Sequence, residues 1–200
     1  MSRAPHLSRR ALLAAALAAP AAQAQTGWTP TRPVVMIVPY APGNAGDVAF
    51  RVIAERVEAR LGQRVLLDAR PGAGGSIGAA AVARSQPDGQ TLLLGATNNF
   101  VLNQFLFRDM AFDPLTALAP VTKVVDTPCV LFVPASLPVQ DLPQFIAHAR
   151  RKPGQLNLAS PSAGTTLHLA GERLAQLAGI ELTHVPYRGS PHAVAALMAG

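Results

Sequence analysis

The sequence has a single cysteine, few charged residues and no long run of charge. Each of these features excludes a class of protein or a kind of site. Cys129 has no partner for an internal disulfide and no cysteine or histidine at metal-ligand spacing, so we expect neither a disulfide nor a metal site. Its apolar neighbours at residues 130–132 favour a buried side chain. Charged residues make up 14% and hydrophobic residues 50% of the chain, which excludes disorder over most of its length.

Basic residues are in excess, but their distribution argues against nucleic acid as a partner. The formal net charge is +6. Arg3, Arg9 and Arg10 lie in the first 24 residues, where there is no acid, and the other 14 basic residues face 11 acidic ones. An excess of three basic residues does not form a continuous basic surface that could follow a phosphate backbone. We therefore expect no nucleic-acid partner.

Residues 1–24 have the composition of an export signal peptide. A basic start is followed by an apolar run at residues 11–19 and a small-x-small end, which predicts cleavage after Ala24 and a periplasmic protein. The run is too short to cross a hydrocarbon core about 30 Å thick. The arginine pair at residues 9–10 also suits a twin-arginine signal, so both export routes stay open.

The rest of the chain alternates short apolar runs with segments of helical periodicity. We predict strands at residues 33–38, 64–67, 91–95, 130–133, 156–158 and 182–185, and helices at residues 48–61, 77–84, 100–107, 142–151, 167–178 and 193–198. Strands that are apolar on both faces and alternate with helices are typical of parallel sheets covered by helices. The sequence therefore predicts an α/β fold.

Two α/β units are expected, at residues 25–124 and 125–200. A ligand is expected in the crevice outside the carboxyl ends of the strands. The second unit has only three short predicted strands and ends within an apolar helix, so we expect it to be truncated in this chain.

The loop at residues 39–47 lies between a predicted strand and a predicted helix. The first amide groups of a helix lack intrahelical partners, and together with the helix dipole they favour an anion. Gly43 and Gly46 allow the backbone to approach a ligand closely. A simple turn capped by Asp47 explains the same residues, and the Asp47 carboxylate would compete with an anion for these donors.

A second loop of this kind occupies residues 160–166. Its hydroxyl and amide groups can hold a carboxylate, and each hydrogen bond to a charged group contributes about 1.5–3 kcal/mol. The alternative is a helix start capped by serine or threonine. His168, on the first turn of that helix, is more typical of a structural hydrogen-bonding residue than of a catalyst.

Residues 74–78 match the G-x-S-x-G pattern of a serine hydrolase, with Ser76 as the nucleophile. Pro71 to Ala73 separate the pattern from the preceding strand, and no oxyanion segment precedes it, so an exported hydrolase is kept only as an alternative. Ile77 occupies the position of the third glycine of a dinucleotide fingerprint. We therefore expect no cofactor.

Three segments together carry a family resemblance. They are the run from RPVVMIVPYAPGNAGDVAF to QTLLLGA, the run FDPLTALAPVTKV, and the run LNLASPSAGTTLHLAGERLAQLAGIELTHVPYRGS. The chain resembles the extracytoplasmic solute receptors of tripartite tricarboxylate transporters, the Bug receptors. The resemblance implies a periplasmic-binding-protein type II-like fold, with two α/β domains around a ligand cleft. It also implies a small carboxylate ligand, membrane transporter subunits as partners, a monomer, and no enzymatic activity.

The resemblance also implies where the ligand binds. The implied ligand-binding residues are Tyr40, Ala41, Pro42, Gly43, Asn44 and Asp47 in the first loop, Ala96, Thr97 and Asn98 after the third strand, and Ser160, Ser162, Ala163, Gly164, Thr165, Thr166, His168 and Tyr187 in the second domain. Residues 44–46 depart from the glycine run and threonine usual in the family, so ligand affinity or choice is expected to differ. A non-binding remnant of a receptor is the remaining alternative.

Overall fold

The computed structural model describes residues 27–200, and the predicted export signal lies outside them. The elements are β1 (Val34–Val38), α1 (Ala45–Leu61), β2 (Val65–Ala69), α2 (Ser76–Ala83), β3 (Thr91–Leu93), α3 (Asn103–Leu106), α4 (Leu142–Arg150), β4 (Leu156–Ser160), α5 (Thr166–Ala178), β5 (Leu182–Pro186) and α6 (Ser190–Ala199). A 3₁₀ turn at Ala73–Gly75 precedes α2, and a π-helical turn at Asn98–Leu102 precedes α3. None of these helices is long and apolar enough to cross a bilayer.

The first sheet contains three parallel strands in the order β2-β1-β3. The central strand β1 pairs Val34 with Val65 on one side and Val35 with Thr91 on the other. Every residue of β1 is apolar, because a central strand covered on both faces offers no contact with water. The predicted parallel α/β arrangement is confirmed for this part of the chain.

Helix α1 packs on this sheet and fixes the first loop. Phe50 of α1 is buried against Val34, Met36 and Val38 of β1. The helix ends at Gly62, whose left-handed backbone (φ 65°) lets its amide donate to the carbonyl of Glu58. The start of α1 therefore lies at the carboxyl end of β1.

The second sheet pairs β4 with β5 in parallel, from Leu156 opposite Leu182 to Ser160 opposite Pro186. Its core is formed by side chains of α4, α5 and the segment that follows α5: Phe145, Ala149, Ala175, Ala178 and Ile180. The Asp141 carboxylate accepts from the amide of Gln144 at 2.8 Å and caps α4, as is usual for an aspartate before the first helical residue. Helix α5 leads out of β4 in the same way as α1 leads out of β1.

Two predictions for residues 129–133 are wrong. Residues 130–133 form no strand, and Val130 and Phe132 are 58% and 67% exposed. Cys129 is exposed rather than buried. Apolar and β-branched side chains favour an extended backbone, but a strand also needs a hydrogen-bonded neighbour. Neither sheet within residues 27–200 supplies one for this segment.

Candidate functional site

The first loop leads from β1 into α1 and is capped by Asn44. Its side-chain oxygen accepts from the amides of Gly46 at 2.9 Å and Asp47 at 3.1 Å. Its side-chain nitrogen donates to the carbonyl of Ala41 at 3.0 Å. Asn44, and not Asp47, is therefore the N-cap of α1, which corrects the simple-turn alternative. The side chain turns back into the loop.

Asp47 is buried and occupies a further amide of the same loop. Its carboxylate accepts from the amide of Gly43 at 2.8 Å and from Nε of Arg51 at 2.8 Å. The expected competition between this carboxylate and an anion is therefore present. Within the described residues, the amides of Ala41 and Ala45 donate to no protein group. The amides of Tyr40 and Asn44 donate to none either, so four amides of the loop are left for an anion; Pro42 is exposed and has no amide hydrogen.

The second loop is held by two buried hydroxyl groups. Ser160 and Thr165 both donate to the carbonyl of Ser162, at 3.1 Å and 2.9 Å. The Thr165 oxygen also accepts from the amide of His168 at 3.3 Å, which caps α5. The Ser160 and Thr165 side chains therefore stabilise the loop itself.

The amides of the second loop divide into one that is bonded and others that are free. The amide of Gly164 donates to Nδ1 of His168 at 3.2 Å. The amides of Ala163 and Thr166 donate to no group within residues 27–200, and both residues are exposed. In both loops, therefore, local side chains accept hydrogen bonds from some backbone amides and leave other amides without a protein acceptor.

A pair of histidines lies beside the second loop. The rings of His168 and His184 are stacked with their centroids 3.7 Å apart. Nε2 of His184 lies 2.7 Å from Oγ of Ser160. Burial, followed by the neighbouring His168, lowers the pKa of His184 below its ordinary 6.5, and Glu172 acts in the opposite direction. His184 carries no motif that sequence reasoning could have used.

A buried network of polar side chains lies beside Tyr40 in the first unit. The Tyr40 hydroxyl lies 2.8 Å from the amide oxygens of both Asn98 and Asn99. Three side-chain amides donate to the carbonyl of Gly74, namely those of Asn98 at 2.6 Å, Asn99 at 3.1 Å and Asn103 at 3.1 Å. Burial raises the pKa of Tyr40 from 10.0 to about 12. Asn99 and Asn103 were not predicted from the sequence, although asparagines in an otherwise apolar segment were a usable signal.

Ala96, Thr97 and Tyr187 are the remaining residues that were predicted to bind the ligand. Ala96 and Thr97 are exposed, and the amide of Ala96 donates to the side-chain oxygen of Asn99 at 2.9 Å. Tyr187 is half-buried, and its amide donates to the carbonyl of Ser160 at 2.8 Å. Direct contact of these residues with a ligand stays a prediction.

Loops of the two units meet at a junction, which we define by the contacts of Ala41 with Gly189 and of Gly74 with Ala163. A Cβ added to Gly189 would lie 2.9 Å from the Cβ of Ala41. A Cβ added to Gly74 would lie 3.4 Å from the carbonyl oxygen of Ala163. The amide of Gly189 donates to the carbonyl of Pro161 at 2.8 Å, so the segment before α6 is tied to the second loop. The first loop therefore contacts the segment before α6, and the second loop contacts the 3₁₀ turn before α2.

Two hollows lie in the first unit. One of about 60 Å³ is lined by residues that include Val38, Asp47 and Arg51. The other, about 440 Å³, runs along the outer face of α1 between Arg56 and Arg60. At the junction the loops of the two units touch at Ala41 and Gly189 and at Gly74 and Ala163. Residues 27–200 contain no group of three or more histidine, cysteine or acidic side chains placed to hold a metal ion.

The side chains that contact Ser76, the candidate hydrolase nucleophile, do not include a base. Its oxygen accepts from the side-chain amide of Asn103 at 2.9 Å and lies 3.8 Å from the sulfur of Met110. A serine nucleophile needs an adjacent base that removes its proton. An amide nitrogen and a thioether do not serve as that base, so the geometry gives the hydrolase alternative no support.

Comparison with known proteins agrees with this architecture. Residues 49–200 match the family described as "Tripartite tricarboxylate transporter family receptor". The UPF0065 protein of the tcbD-tcbE intergenic region in Pseudomonas sp. strain P51 is 40% identical over 171 residues, which are 86% of this chain and 51% of that protein.

Two solved structures from Rhodopseudomonas palustris are also similar. One, Rpa4515 with adipate, is 36% identical with a TM-score of 0.81, and 84% of this chain covers 56% of it. The other, MatC with bound malate, is 30% identical with a TM-score of 0.78, and 84% of this chain covers 57% of it. The chain thus spans little more than half the length of the relatives it matches. It belongs to the tripartite tricarboxylate transporter receptor family.

Proposed function

We propose that the protein is a periplasmic receptor that binds a small carboxylate and delivers it to a tripartite tricarboxylate-type membrane transporter. The observation that carries the proposal is the junction, where the first loop contacts the segment before α6 and the second loop contacts the 3₁₀ turn before α2, so that loops from two separate sheets meet. Similar structures that hold adipate and malate support a carboxylate as the ligand. The proposal includes a division of the chain into domains at residues 25–124 and 125–200.

The chemistry of the junction favours an anion without a dedicated cation. Free amides are available at Ala41 and Ala45 on one side and at Ala163 and Thr166 on the other. The positive end of each helix dipole adds about 0.3–1 kcal/mol for an anion. Arg51, the basic side chain beside the first loop, is already paired with Asp47 at 2.8 Å. A carboxylate is therefore held by neutral donors.

Because the ligand binds between two units, its affinity depends on how close the two units are. A carboxylate that contacts both loops is bound best when the loops are close, so the ligand shifts the population toward the closed arrangement. Residues 107–141, which link the two sheets, contain no strand or helix. We place the bending of the chain in this linker, because few backbone hydrogen bonds there resist a change of angle.

The test is calorimetric titration of the purified protein with monocarboxylates, dicarboxylates and tricarboxylates. Cooperative thermal unfolding first establishes that the protein is folded. We expect one class of acid to bind and to raise the melting temperature as its concentration increases. Binding of none of these acids to folded protein overturns the receptor proposal. Unfolding without cooperativity, and without a rise caused by ligand, supports a non-binding remnant instead.

The periplasmic location needs its own experiment. The N-terminal residue of the protein recovered from the periplasm is determined by sequencing. We expect Gln25, the residue after the predicted cleavage site at Ala24. Recovery of the protein only from the cytoplasm, with residues 1–24 intact, contradicts the proposed location.

A further inference from the structure

The histidine pair beside the second loop joins three elements. His168 lies on the first turn of α5, His184 on β5, and the Ser160 hydroxyl that contacts His184 lies at the end of β4. The two rings are nearly parallel, with an interplanar angle of 25°. Each ring contacts a different part of the second loop, through Gly164 and through Ser160. The pair therefore supports the loop at two points.

The hydrogen bonds of His168 define its protonation state. The backbone amide of Gly164 only donates, so Nδ1 of His168 must accept and carries no proton. The single ring proton then lies on Nε2, which is 3.5 Å from a carboxylate oxygen of Glu172. A second proton would have to occupy Nδ1, where it would point at the Gly164 amide hydrogen. Protonation of His168 therefore breaks this contact.

His184 contacts the second loop through Ser160. The Ser160 hydroxyl donates its only proton to the carbonyl of Ser162, so its oxygen accepts from Nε2 of His184. The titratable groups that face the pair are the second ring of the pair and Glu172. Glu172 favours a proton on a ring, but two charged rings 3.7 Å apart repel each other.

We propose that His168 and His184 are positioning residues of the carboxylate site, which as a neutral stacked pair hold the second loop in place and on protonation release it. The inference rests on the proposed function, because it concerns the loop that supplies half of the junction. Release of the Gly164 amide lets the free amides of the loop turn away from the junction. Carboxylate binding therefore weakens when acid protonates the pair.

The sign of this pH dependence separates positioning from direct contact. A histidine that touched the ligand would attract a carboxylate more strongly when protonated, so acid would strengthen binding. A histidine that holds the loop only when neutral gives the opposite result. Burial and the charge of His168 both lower the pKa of His184, which agrees with a pair that is neutral when the loop is in place.

The experiment compares binding of the tightest carboxylate at about pH 5.5 and about pH 7.5, on either side of the ordinary histidine pKa. In His168→Asn, the side-chain oxygen replaces Nδ1 as the acceptor for Gly164 and does not titrate. His168→Leu removes the acceptor. His192→Asn is the matched control, because His192 is an exposed histidine of α6. Protonation of the ligand itself affects every variant equally and cancels in the comparison.

We expect wild type and His192→Asn to bind on the order of tenfold more weakly at the lower pH, one histidine contact being lost. His168→Asn keeps wild-type affinity at the higher pH and loses most of the pH dependence, whereas His168→Leu is weak at both. Equal or tighter binding by wild type at the lower pH overturns the inference alone. No binding by wild type at the higher pH overturns the proposed function and with it this inference.

A measurement on the ligand-free protein tests the geometry directly. Nitrogen NMR of the imidazole rings reports which ring nitrogen carries the proton, and amide hydrogen exchange reports the protection of Gly164. We expect the proton of His168 on Nε2, and protection of Gly164 that is lost in His168→Leu and kept in His168→Asn. A proton on Nδ1, or equal protection of Gly164 in both variants, contradicts the inference whatever the protein binds.

Discussion

The Cβ of Ala41 faces Gly189 so closely that a Cβ on the glycine would lie 2.9 Å away. Gly189 has φ 120°, a conformation that side chains rarely allow, so substitution there would strain the backbone as well as the contact. Ala41 is the better position to test because its φ is not positive. The contact between the two loops can then be changed without a forced change in the chain.

Ala41→Leu is expected to keep the junction open and to weaken carboxylate binding at least tenfold, which is about 1.4 kcal/mol. The larger side chain meets the segment at Gly189 before the two loops can close on a ligand. Calorimetric titration measures the change. Ala59→Leu, at an exposed position of α1 away from the junction, is the matched control and should bind as wild type does. Unchanged affinity in Ala41→Leu contradicts the closure of these two loops on a ligand.

Tyr40→Phe is expected to lower the free energy of unfolding by about 1–3 kcal/mol, because the amide oxygen of Asn98 loses the only donor it has among the described residues. The midpoint and slope of urea unfolding give this energy. Tyr187→Phe provides the control, since Tyr187 is the other tyrosine and its amide, rather than its hydroxyl, makes the described bond. Equal stability of Tyr40→Phe and wild type contradicts the buried network.

The same network predicts an effect of alkali. The pKa of Tyr40 rises from 10.0 to about 12 on folding, so its contribution to stability is present below pH 10 and is lost as the pH rises toward 12. Ultraviolet absorbance of tyrosinate, recorded while the protein is still folded, follows the ionisation. One late step is expected in wild type and should be absent in Tyr40→Phe. A late step that persists in this variant assigns it to another group.

Asn44→Ala is expected to destabilise the protein by about 0.5–2 kcal/mol, because two amides of the first turn lose their acceptor. Asn44→Asp keeps a side-chain oxygen at the same position and should retain most of the stability. Thermal and urea unfolding of both variants measure the difference. If Asp and Ala are equally destabilising, the capping interaction does not explain why asparagine occupies this position.

Ser76→Ala tests the hydrolase alternative. Because Oγ of Ser76 contacts only Asn103 and Met110 among the described side chains, we expect no ester turnover in wild type and no change in carboxylate affinity in the variant. Ester hydrolysis is followed with a chromogenic ester, and binding is followed by calorimetry. Turnover by wild type that disappears in Ser76→Ala would restore the hydrolase as the function.

The elements that could be predicted are those specified by nearby residues. Strand β1 is identified by five consecutive apolar residues, and α4 by its cap at Asp141. The segment at residues 130–133 has an equally suitable composition but no neighbouring strand, and pairing is a long-range property that composition does not contain. For the same reason Cys129 could not be placed correctly from its apolar neighbours.

The candidate site shows the same limit. Sequence patterns identified both loops and predicted that Asp47 competes for amides, because these interactions are local. The contact of His184 with Ser160 joins residues that are 24 positions apart, and that of Asn103 with Gly74 joins residues 29 apart. The identity of the cap was also missed, since Asn44 and Asp47 are both good caps and only the backbone geometry decides between them.

In the proposed receptor, free amides at the starts of α1 and α5 hold one carboxylate between them. Backbone amide NMR of the folded protein, recorded while the tightest carboxylate is added, tests it most directly. We expect the largest shifts at Ala41 and Ala45 in the first loop together with Ala163 and Thr166 in the second. Shifts confined to one loop, or centred on Arg56 and Arg60 along the outer face of α1, would contradict it.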